Sequence, residues 1–395
     1  MTDDLFSMDH LLNPDQMAVR EGVRKVCADF DDDYWRERDN AREYPEDFMQ
    51  AMAATGWQGI LMPEEVGGAG LGVSEAAILA LTIAESGAGF SGVSPVINAV
   101  YGLNPIIVFG NDEQKRRMLP PIIARKDISS FGVTEPTTGL DTTKLKTRAE
   151  KRGDTYYVTG QKIWTTNANV ATKIMLVART TPLEEGGRPI DGLSLFFTDL
   201  DRRYVQIREI PKMGGKACWS NEVFFDGLPV PEADRIGEEG KGFRYLLHGL
   251  NPERIFVSCI ALGLGRAALA KAVRYARERV VFDRPIGKNQ AIQHPLAESW
   301  AELEAALLMV LKAAELYDKG LPCGHMANAA KYLSAEAGFN ACTRAVMTHG
   351  GMGYAQEFHV ERYLREVMVP RLAPVSPQLI LCHLAEKVLG LPKSY

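Results

Sequence analysis

The chain has 395 residues, of which 46% are apolar and 24% are charged, and its formal net charge is −5. This length suggests two or three domains, and the mixed charges are typical of a soluble globular protein without a nucleic-acid partner. We find no uninterrupted apolar run near the roughly 18 residues that a membrane span needs, so we expect no span. The acidic N-terminal residues lack a hydrophobic signal core, which predicts a cytoplasmic location.

The six cysteines are scattered along the chain and form no CxxC pair. A zinc site or a thioredoxin-like motif is therefore not expected, and we predict no metal site. Buried, reduced thiols are the simpler interpretation.

The predicted elements change character twice along the chain. Residues 13–123 are typical of helices with proline-rich breaks, and Asn111 is a plausible helix N-cap. Between 129 and 230, short alternating segments rich in Thr, Tyr, Val and Ile predict strands of a small barrel or sandwich. Long helical patterns return after 242 and favour a bundle. We predict a mainly α fold with a β middle domain: an N-terminal α-helical domain (1–127), a β domain (128–240) and a C-terminal α-helical bundle (241–395).

Three glycine-containing or aromatic motifs leave alternatives open. "GLGRAA" (263–268) fits a dinucleotide fingerprint only in outline, because it lies within a helical pattern, so close helix packing is favoured. "HGGMG" (349–353) is either a plain helix-ending turn or a place where backbone amides approach a phosphate. "KIWTTNA" (162–168) offers an indole face for stacking beside hydroxyl groups, although core tryptophans are also common.

"LNPERIF" (250–256) places Glu253 beside a long apolar helical pattern. Pro252 suits a first helical turn with Asn251 as its cap, so we expect Glu253 near the start of that helix. A lone acid there can simply complement the helix macrodipole. The same carboxylate is also a candidate general base.

Taken together, these stretches resemble the acyl-CoA dehydrogenase family over nearly the whole chain. "VTEPTTGLD" is similar to the first family signature, "KIWTTNA" to its flavin-facing segment, "RERVVF" to its FAD contact stretch, and "GGMGYAQEFHVERYLRE" to its second signature. The resemblance implies a helical N-domain, a β middle domain and a four-helix C-domain. It also implies bound FAD and a homodimer or homotetramer.

The resemblance also implies roles for individual residues. Those that would hold the isoalloxazine are Phe131, Val133, Thr134, Trp164, Thr165 and Thr166. Those that would contact the adenosine and pyrophosphate, partly across a dimer interface, are Arg279, Phe282, Gln290, Gly350 and Gly351. Ser376 and Gln378 would add further cofactor contacts. Leu140, Asn251, Arg254 and Pro374 occupy substrate-binding positions.

The implied reaction is α,β-dehydrogenation of an acyl-CoA thioester to the trans-2-enoyl-CoA, a chemistry of fatty acid β-oxidation. A carboxylate removes the α-proton, the β-hydrogen leaves as hydride to flavin N5, and an electron-transfer flavoprotein reoxidises the flavin. Most members carry the base where this chain has Pro374, and no acid lies between Glu366 and Glu386. Glu253 matches the alternative position of isovaleryl- and long-chain-type members. Desolvation by substrate is expected to raise its pKa towards neutrality.

Pro374 also lacks the amide hydrogen that helps bind the thioester oxygen in the family. Either the Val375 amide or a flavin ribityl hydroxyl would have to compensate. Two alternatives therefore remain beside the dehydrogenase. One is a flavoenzyme of the same fold with other chemistry, such as a flavin hydroxylase or an acyl-CoA desulfinase. The other is a non-catalytic binding protein.

Overall fold

A computed structural model describes residues 5–8, 10–184 and 188–394. Its N-terminal part is helical. The helices are α1 (Pro14–Cys27), α2 (Asp32–Ala41), α3 (Glu46–Ala54), α4 (Val73–Ile83), α5 (Gly89–Tyr101), α6 (Asn104–Phe109) and α7 (Asp112–Ile123). The expected cap at Asn111 is confirmed, because its side chain accepts a hydrogen bond from the Gln114 amide, and the Gln114 side chain accepts one from the Asn111 amide. This reciprocal pair satisfies two amides that would otherwise lack partners at the helix start.

Helices α4 and α5 form the centre of the N-terminal part and are buried on nearly all sides. A single π-helical turn, Ala84–Ala88, joins them and ends at Gly89, whose φ of 56° places it in a region that favours glycine. A Cβ on Gly89 would lie 2.3 Å from the Glu366 carboxylate. The backbone at the start of α5 therefore approaches the C-terminal helices closely, and this contact fixes the position of α5 relative to them.

The middle part is a β domain, as predicted. Its strands are β1 (Ser129–Gly132), β2 (Arg148–Arg152), β3 (Thr155–Thr166), β4 (Lys173–Arg179), β5 (Leu193–Asp199), β6 (Val205–Glu209), β7 (Ser220–Pro231) and β8 (Arg235–Ile236). They form one sheet in the order β6-β7-β3-β2-β4-β5-β8, and β1 pairs in parallel with β4. Burial alternates along β3 and β7, as expected for strands with one solvated face. The register of β3 against β7 shifts between Lys162 and Thr165.

The C-terminal part is a bundle of long helices. Its elements are α8 (Gly242–Glu278), the short hairpin β9 (Val280–Val281) and β10 (Arg284–Pro285), α9 (Gln290–Asp318), α10 (Gly324–His349), α11 (Val360–Leu372) and α12 (Pro377–Lys387). The motif "GLGRAA" lies in the middle of α8, and a Cβ on Gly263 would lie 2.3 Å from the Ala84 Cβ. The glycines therefore serve close helix packing, which confirms that interpretation.

The predicted start of the helix that carries Glu253 is wrong. α8 begins at Gly242, and Pro252 and Asn251 lie inside it, not at its cap. The preceding turns bury Phe243, Tyr245 and Leu246 in the core. This burial outweighs the loss of one backbone hydrogen bond at the proline.

Three helical stretches of the described chain have the length and hydropathy that could cross a membrane: Val73–Phe109, Gly242–Glu278 and Val360–Lys387. The sequence analysis did not identify them. In the first two, 83% of the most apolar window is buried inside the protein, against 17% in the third. Apolar residues all round a helix also suit a core helix, which explains the first two.

Candidate active site

Glu253 lies on α8 with a partly buried side chain, close enough to α5 that its charge acts on the Tyr101 phenol. Its carboxylate makes no hydrogen bond or ion pair with any of the described residues, and burial raises its pKa to about 7, against the opposing charge of Arg254. A desolvated carboxylate without a structural partner is a common property of catalytic acids and bases.

Arg254 follows Glu253 but does not pair with it. Its guanidinium Nη1 donates to the Leu250 carbonyl oxygen at 3.1 Å and to the Asn251 side-chain oxygen at 3.2 Å. Burial lowers the pKa of Arg254, while the Glu253 charge acts in the opposite direction. Arg254 and Asn251 thus form a polar unit on α8, which leaves the Glu253 carboxylate free of a direct cation contact.

The rings of Tyr101 and Phe131 meet edge to face with centroids 5.8 Å apart. Burial raises the pKa of Tyr101 well above its ordinary value, and the charges of Glu253 and Cys218 add to this effect. Tyr101 therefore stays a neutral phenol beside Glu253. The sequence analysis did not single out this tyrosine, because its place beside Glu253 depends on how α5 packs on α8.

The segment that contains Val133 and Thr134 is held by a buried ion pair. The Lys162 ammonium donates to the Val133 carbonyl oxygen and to the Glu135 carboxylate, each at 2.9 Å. The Glu135 carboxylate also accepts hydrogen bonds from the Lys146 and Thr147 amides. The Ile163 amide donates to the Thr134 carbonyl oxygen at 2.9 Å. The predicted flavin segment is thereby joined directly to β3.

Trp164 lies at the register shift of β3, with a φ of 60° and 54% of its surface exposed. A tryptophan in the left-handed region at an irregular strand position is uncommon outside functional sites. The neighbouring Thr165 is fully buried, and its hydroxyl has no hydrogen-bond partner in the part of the chain that the structure describes. Consecutive residues of β3 therefore present an exposed indole on the outside and an unsatisfied hydroxyl on the inside.

A groove of about 490 Å³ lies beside the C-terminal end of α8 and is lined by Arg279, Gly350 and Gly351. Gly350 has a φ of 59°, and a Cβ on either glycine would meet open space. Phe282 lies on the adjoining hairpin with 93% of its surface exposed. Gln290 is the exposed first residue of α9 but does not itself line the groove.

Residues 373–376, which we call the α11–α12 loop, contain Pro374 and end at Ser376. The Ser376 hydroxyl caps α12 by accepting a hydrogen bond from the Leu379 amide at 3.3 Å. Neither the Val375 nor the Ser376 amide donates to another backbone group among the described residues. Gln378 lies in the first turn of α12 and is exposed.

Leu140, in the connection between β1 and β2, is 56% exposed. Its predicted role in substrate binding has no contact among the described residues to support it. The structure thus places Glu253, Arg254 and Asn251 together on α8.

Three family models match the chain, and all describe acyl-CoA dehydrogenase domains: the N-terminal domain at residues 13–126, the middle domain at 130–228 and the C-terminal domain at 240–374. The chain belongs to the acyl-CoA dehydrogenase family. It is accordingly an FAD-dependent oxidoreductase, and the predicted fold class is confirmed.

Individual relatives agree with this assignment. The acyl-CoA dehydrogenase fadE12 of Mycobacterium bovis is 32% identical, with 100% of both chains covered. The caffeyl-CoA reductase-Etf complex subunit CarC of Acetobacterium woodii is 32% identical and covers 88% of this chain and 92% of its own length. The structure of butyryl-CoA dehydrogenase from Megasphaera elsdenii superposes with a TM-score of 0.91 at 28% identity, covering 97% of this chain and 100% of that one.

The residues of this acyl-CoA dehydrogenase fit FAD. The unpartnered Thr165 hydroxyl, the exposed Trp164 ring and the open space before Gly350 and Gly351 are features that a flat ring system and a pyrophosphate would satisfy. The Lys162–Glu135 pair behind this surface was missed from the sequence. Its one signal in the sequence was Lys162, a lysine within an alternating strand. Because strand lysines are usually exposed, this signal did not predict a buried ion pair.

Proposed function

We propose that this enzyme dehydrogenates an acyl-CoA to the trans-2-enoyl-CoA, with Glu253 as the base that removes the α-proton. One observation carries the proposal: Glu253 is an enclosed carboxylate without a hydrogen-bonding or ionic partner among the described residues. Other acids in the same layer, such as Glu366, are occupied by structural hydrogen bonds. Unlike Glu366, Glu253 therefore remains free for substrate within the described structure.

The pKa of Glu253 suits a base at neutral pH. A group whose pKa lies near the working pH is deprotonated often enough to act, and it still gains appreciable driving force from accepting the proton. Burial by the protein's own residues raises this pKa to about 7. A bound acyl chain would exclude more water and strengthen this effect.

Stabilisation of the thioester oxygen must come from groups other than a Pro374 amide. The Val375 and Ser376 amides follow Pro374 directly along the chain. Neither donates a hydrogen bond to another backbone group in the described structure. Donors aimed at an oxygen that gains charge contribute most when they are held in place before the reaction. We infer that the α11–α12 loop supplies at least one of them.

Trp164, Thr165 and the 131–134 segment would hold the isoalloxazine, while Arg279, Gly350 and Gly351 would hold the pyrophosphate and adenosine. FAD held by these residues would supply the hydride acceptor. The fully buried Lys162 keeps the ring-binding segment in place. These residues thus orient the cofactor, and Glu253 accepts the α-proton of the acyl group.

We further propose an electron-transfer flavoprotein as the electron acceptor and a homodimer or homotetramer as the assembly. The name of the relative CarC, a subunit of a complex with Etf, supports the first. The hairpin β9–β10 supports the second, because Val280, Val281 and Phe282 are 54%, 38% and 93% exposed. Such a compact apolar surface beside a cofactor groove favours coverage by another subunit.

The test is anaerobic reduction of the flavin by acyl-CoA thioesters of different length and branching. We expect at least one thioester to bleach the wild-type flavin. Glu253→Gln should retain FAD but lose this bleaching by a factor of at least about 10², the lower part of the range for an essential acid–base group. Glu37→Gln, at an exposed helical position on α2, is the control. Reduction of Glu253→Gln at the wild-type rate would show that Glu253 is not the base.

A further inference from the structure

We propose that Lys331 on α10 is a positioning residue for catalysis: its ammonium group holds the α11–α12 loop and orients the amide donors that stabilise the thioester oxygen. This inference rests on the proposed function and deepens it, because it assigns the control of those donors to a side chain outside the substrate space.

The contacts of Lys331 are directed at the loop. Its ammonium donates to the Val375 carbonyl oxygen at 2.7 Å and lies 3.5 Å from the Arg371 carbonyl oxygen. Lys331 is 1% exposed and forms no salt bridge with a carboxylate among the described residues. A carbonyl oxygen of the loop and one at the C-terminal end of α11 therefore compensate its charge. The end of α11 is also where the helix macrodipole favours a cation.

Because the peptide bond is planar, the contact of Lys331 with the Val375 carbonyl also fixes the direction of the Ser376 N–H. The bond between Val375 and Ser376 is trans, so the Val375 carbonyl and the Ser376 N–H point in opposite directions. Because Lys331 draws the carbonyl towards α10, the Ser376 N–H must face away from α10. This amide has no backbone acceptor in the described structure and is free to bind a ligand oxygen.

A second anchor holds the end of α11 without Lys331. The Arg371 guanidinium makes two 3.0 Å hydrogen bonds to the Glu336 carboxylate and lies 4.3 Å from the centre of the Phe339 ring. The helix end thus stays attached to α10 when the Lys331 ammonium is removed. The specific contribution of Lys331 is the orientation of the loop beyond Leu372.

Lys331 also lies on the helix that packs along α8. Burial lowers its pKa to about 8, Glu336 opposes this effect, and the positive charge of Arg254 adds to it. Lys331 is thus affected by the charge of the α8 polar unit and is hydrogen-bonded to the α11–α12 loop. A lysine that only filled core space would not need its ammonium at this point, where burial of a charge is costly.

The experiment compares Lys331→Met with the control Lys312→Met, an exposed lysine on α9. Amide hydrogen exchange of residues 371–379 is measured by mass spectrometry on the FAD-containing protein. Anaerobic flavin reduction is measured with the thioester that reduces the wild type fastest, and with dithionite. We expect faster exchange in this segment and roughly 10²-fold slower reduction by the thioester, the scale of losing one oriented donor. Reduction by dithionite should not change, and Lys312→Met should behave as wild type.

Two results would overturn the proposal. Unchanged exchange at 371–379 would show that Lys331 does not anchor the loop. Faster exchange with wild-type reduction by the thioester would show that the anchor has no role in catalysis. If Lys331→Met loses its flavin, Lys331→Leu, which also removes the N–H donor, is judged by the same two measurements. A wild type that no thioester reduces would refute the proposed function, and the exchange measurement would still decide whether Lys331 anchors the loop.

Discussion

Glu253 and Glu366 show how the surroundings of a carboxylate decide its role. Both are enclosed glutamates, and burial raises the pKa of each. Glu366 accepts hydrogen bonds from the Phe90 amide at 2.7 Å and the Ser91 hydroxyl at 2.9 Å, so it holds α5 against α11. Glu253 has no such bonds, and its free lone pairs can accept a proton from substrate.

The pKa of Glu253 predicts the pH dependence of the reaction. Its folded-state pKa of about 7 is above the ordinary value of 4.5, so the carboxylate is protonated, and inactive as a base, below neutrality. We expect kcat/KM to rise about tenfold per pH unit below pH 7 and to level off above it. Steady-state assays between pH 5 and 9 test this. A flat profile across pH 6–8 would contradict the assignment.

The buried Lys162–Glu135 pair predicts a coupled effect on stability and FAD retention. Lys162→Met leaves the Glu135 carboxylate buried with only backbone donors, which costs about 3–5 kcal/mol of unfolding free energy for a broken buried pair. We expect weaker FAD retention as well, because Val133 loses its tether. The measurements are urea unfolding and flavin absorbance per protein after gel filtration.

The double variant Lys162→Met/Glu135→Gln provides the control for this pair. Its loss of unfolding free energy should be smaller than the sum of the two single losses, because neither partner is left charged and alone. Simple additivity would show that the two side chains act independently.

At the scale of elements, the site depends on how closely helices approach one another. α5 brings Tyr101 to the site, and α8 brings Glu253, while Gly89 and Gly263 let the backbone pack without an intervening side chain. The strand β3 contributes differently, because its irregular register turns Trp164 outwards and Thr165 inwards. Element positions therefore set the distances on which the residue roles depend.

Gly89 gives an element-scale prediction. Gly89→Ala would put a Cβ 2.3 Å from the Glu366 carboxylate and 2.8 Å from a Leu264 methyl, at a φ of 56°. Backbone strain and overpacking each cost about 1–3 kcal/mol, so we expect a loss of roughly 2–6 kcal/mol of unfolding free energy. Gly56→Ala, at a φ of 78° with no atom within 4 Å, isolates the backbone cost. Equal losses in both variants, measured by denaturant unfolding, would show that the close approach to Glu366 is unimportant.

At the scale of the whole molecule, the candidate cofactor surface is split between distant parts of the chain. The ring-binding residues belong to the β domain, whereas the groove with Arg279 and Gly350 lies at the far end of α8. The hairpin that carries Phe282 projects beside this groove with its apolar side chains exposed. Assembly of subunits would cover the hairpin and complete the cofactor site.

Phe282 tests this at the whole-molecule scale. Phe282→Ser should weaken both FAD retention and subunit association, because burying a phenylalanine contributes about 1.5–3 kcal/mol. Light scattering after gel filtration gives the oligomeric state, and absorbance gives the flavin content. Val108→Ser, on α6, is the control, because its side chain is also partly exposed and does not line the groove. An unchanged oligomer with full flavin would contradict the role of the hairpin.

Much of the architecture was predictable because local chemistry determines it. Strand alternation, the Asn111 cap and the long apolar helices are each set by neighbouring residues, and the order of helical, β and helical parts follows from them. The start of α8 was predicted wrongly because Pro252 is a strong local signal, and burial of the preceding turns in the core overrides it.

The amino-acid sequence alone determined the family, the class of reaction and the loss of an acid at Pro374, since these depend on residue types at given spacings. Only the tertiary structure decided that Glu253 lacks a partner among the described residues and that its charge acts on Tyr101. The same holds for the hydrogen bonds that Lys162 and Lys331 donate to the Val133 and Val375 carbonyl oxygens. The physical reason is that a pKa and a hydrogen bond depend on which groups exclude water or accept protons nearby. Those groups come from elements far apart along the chain.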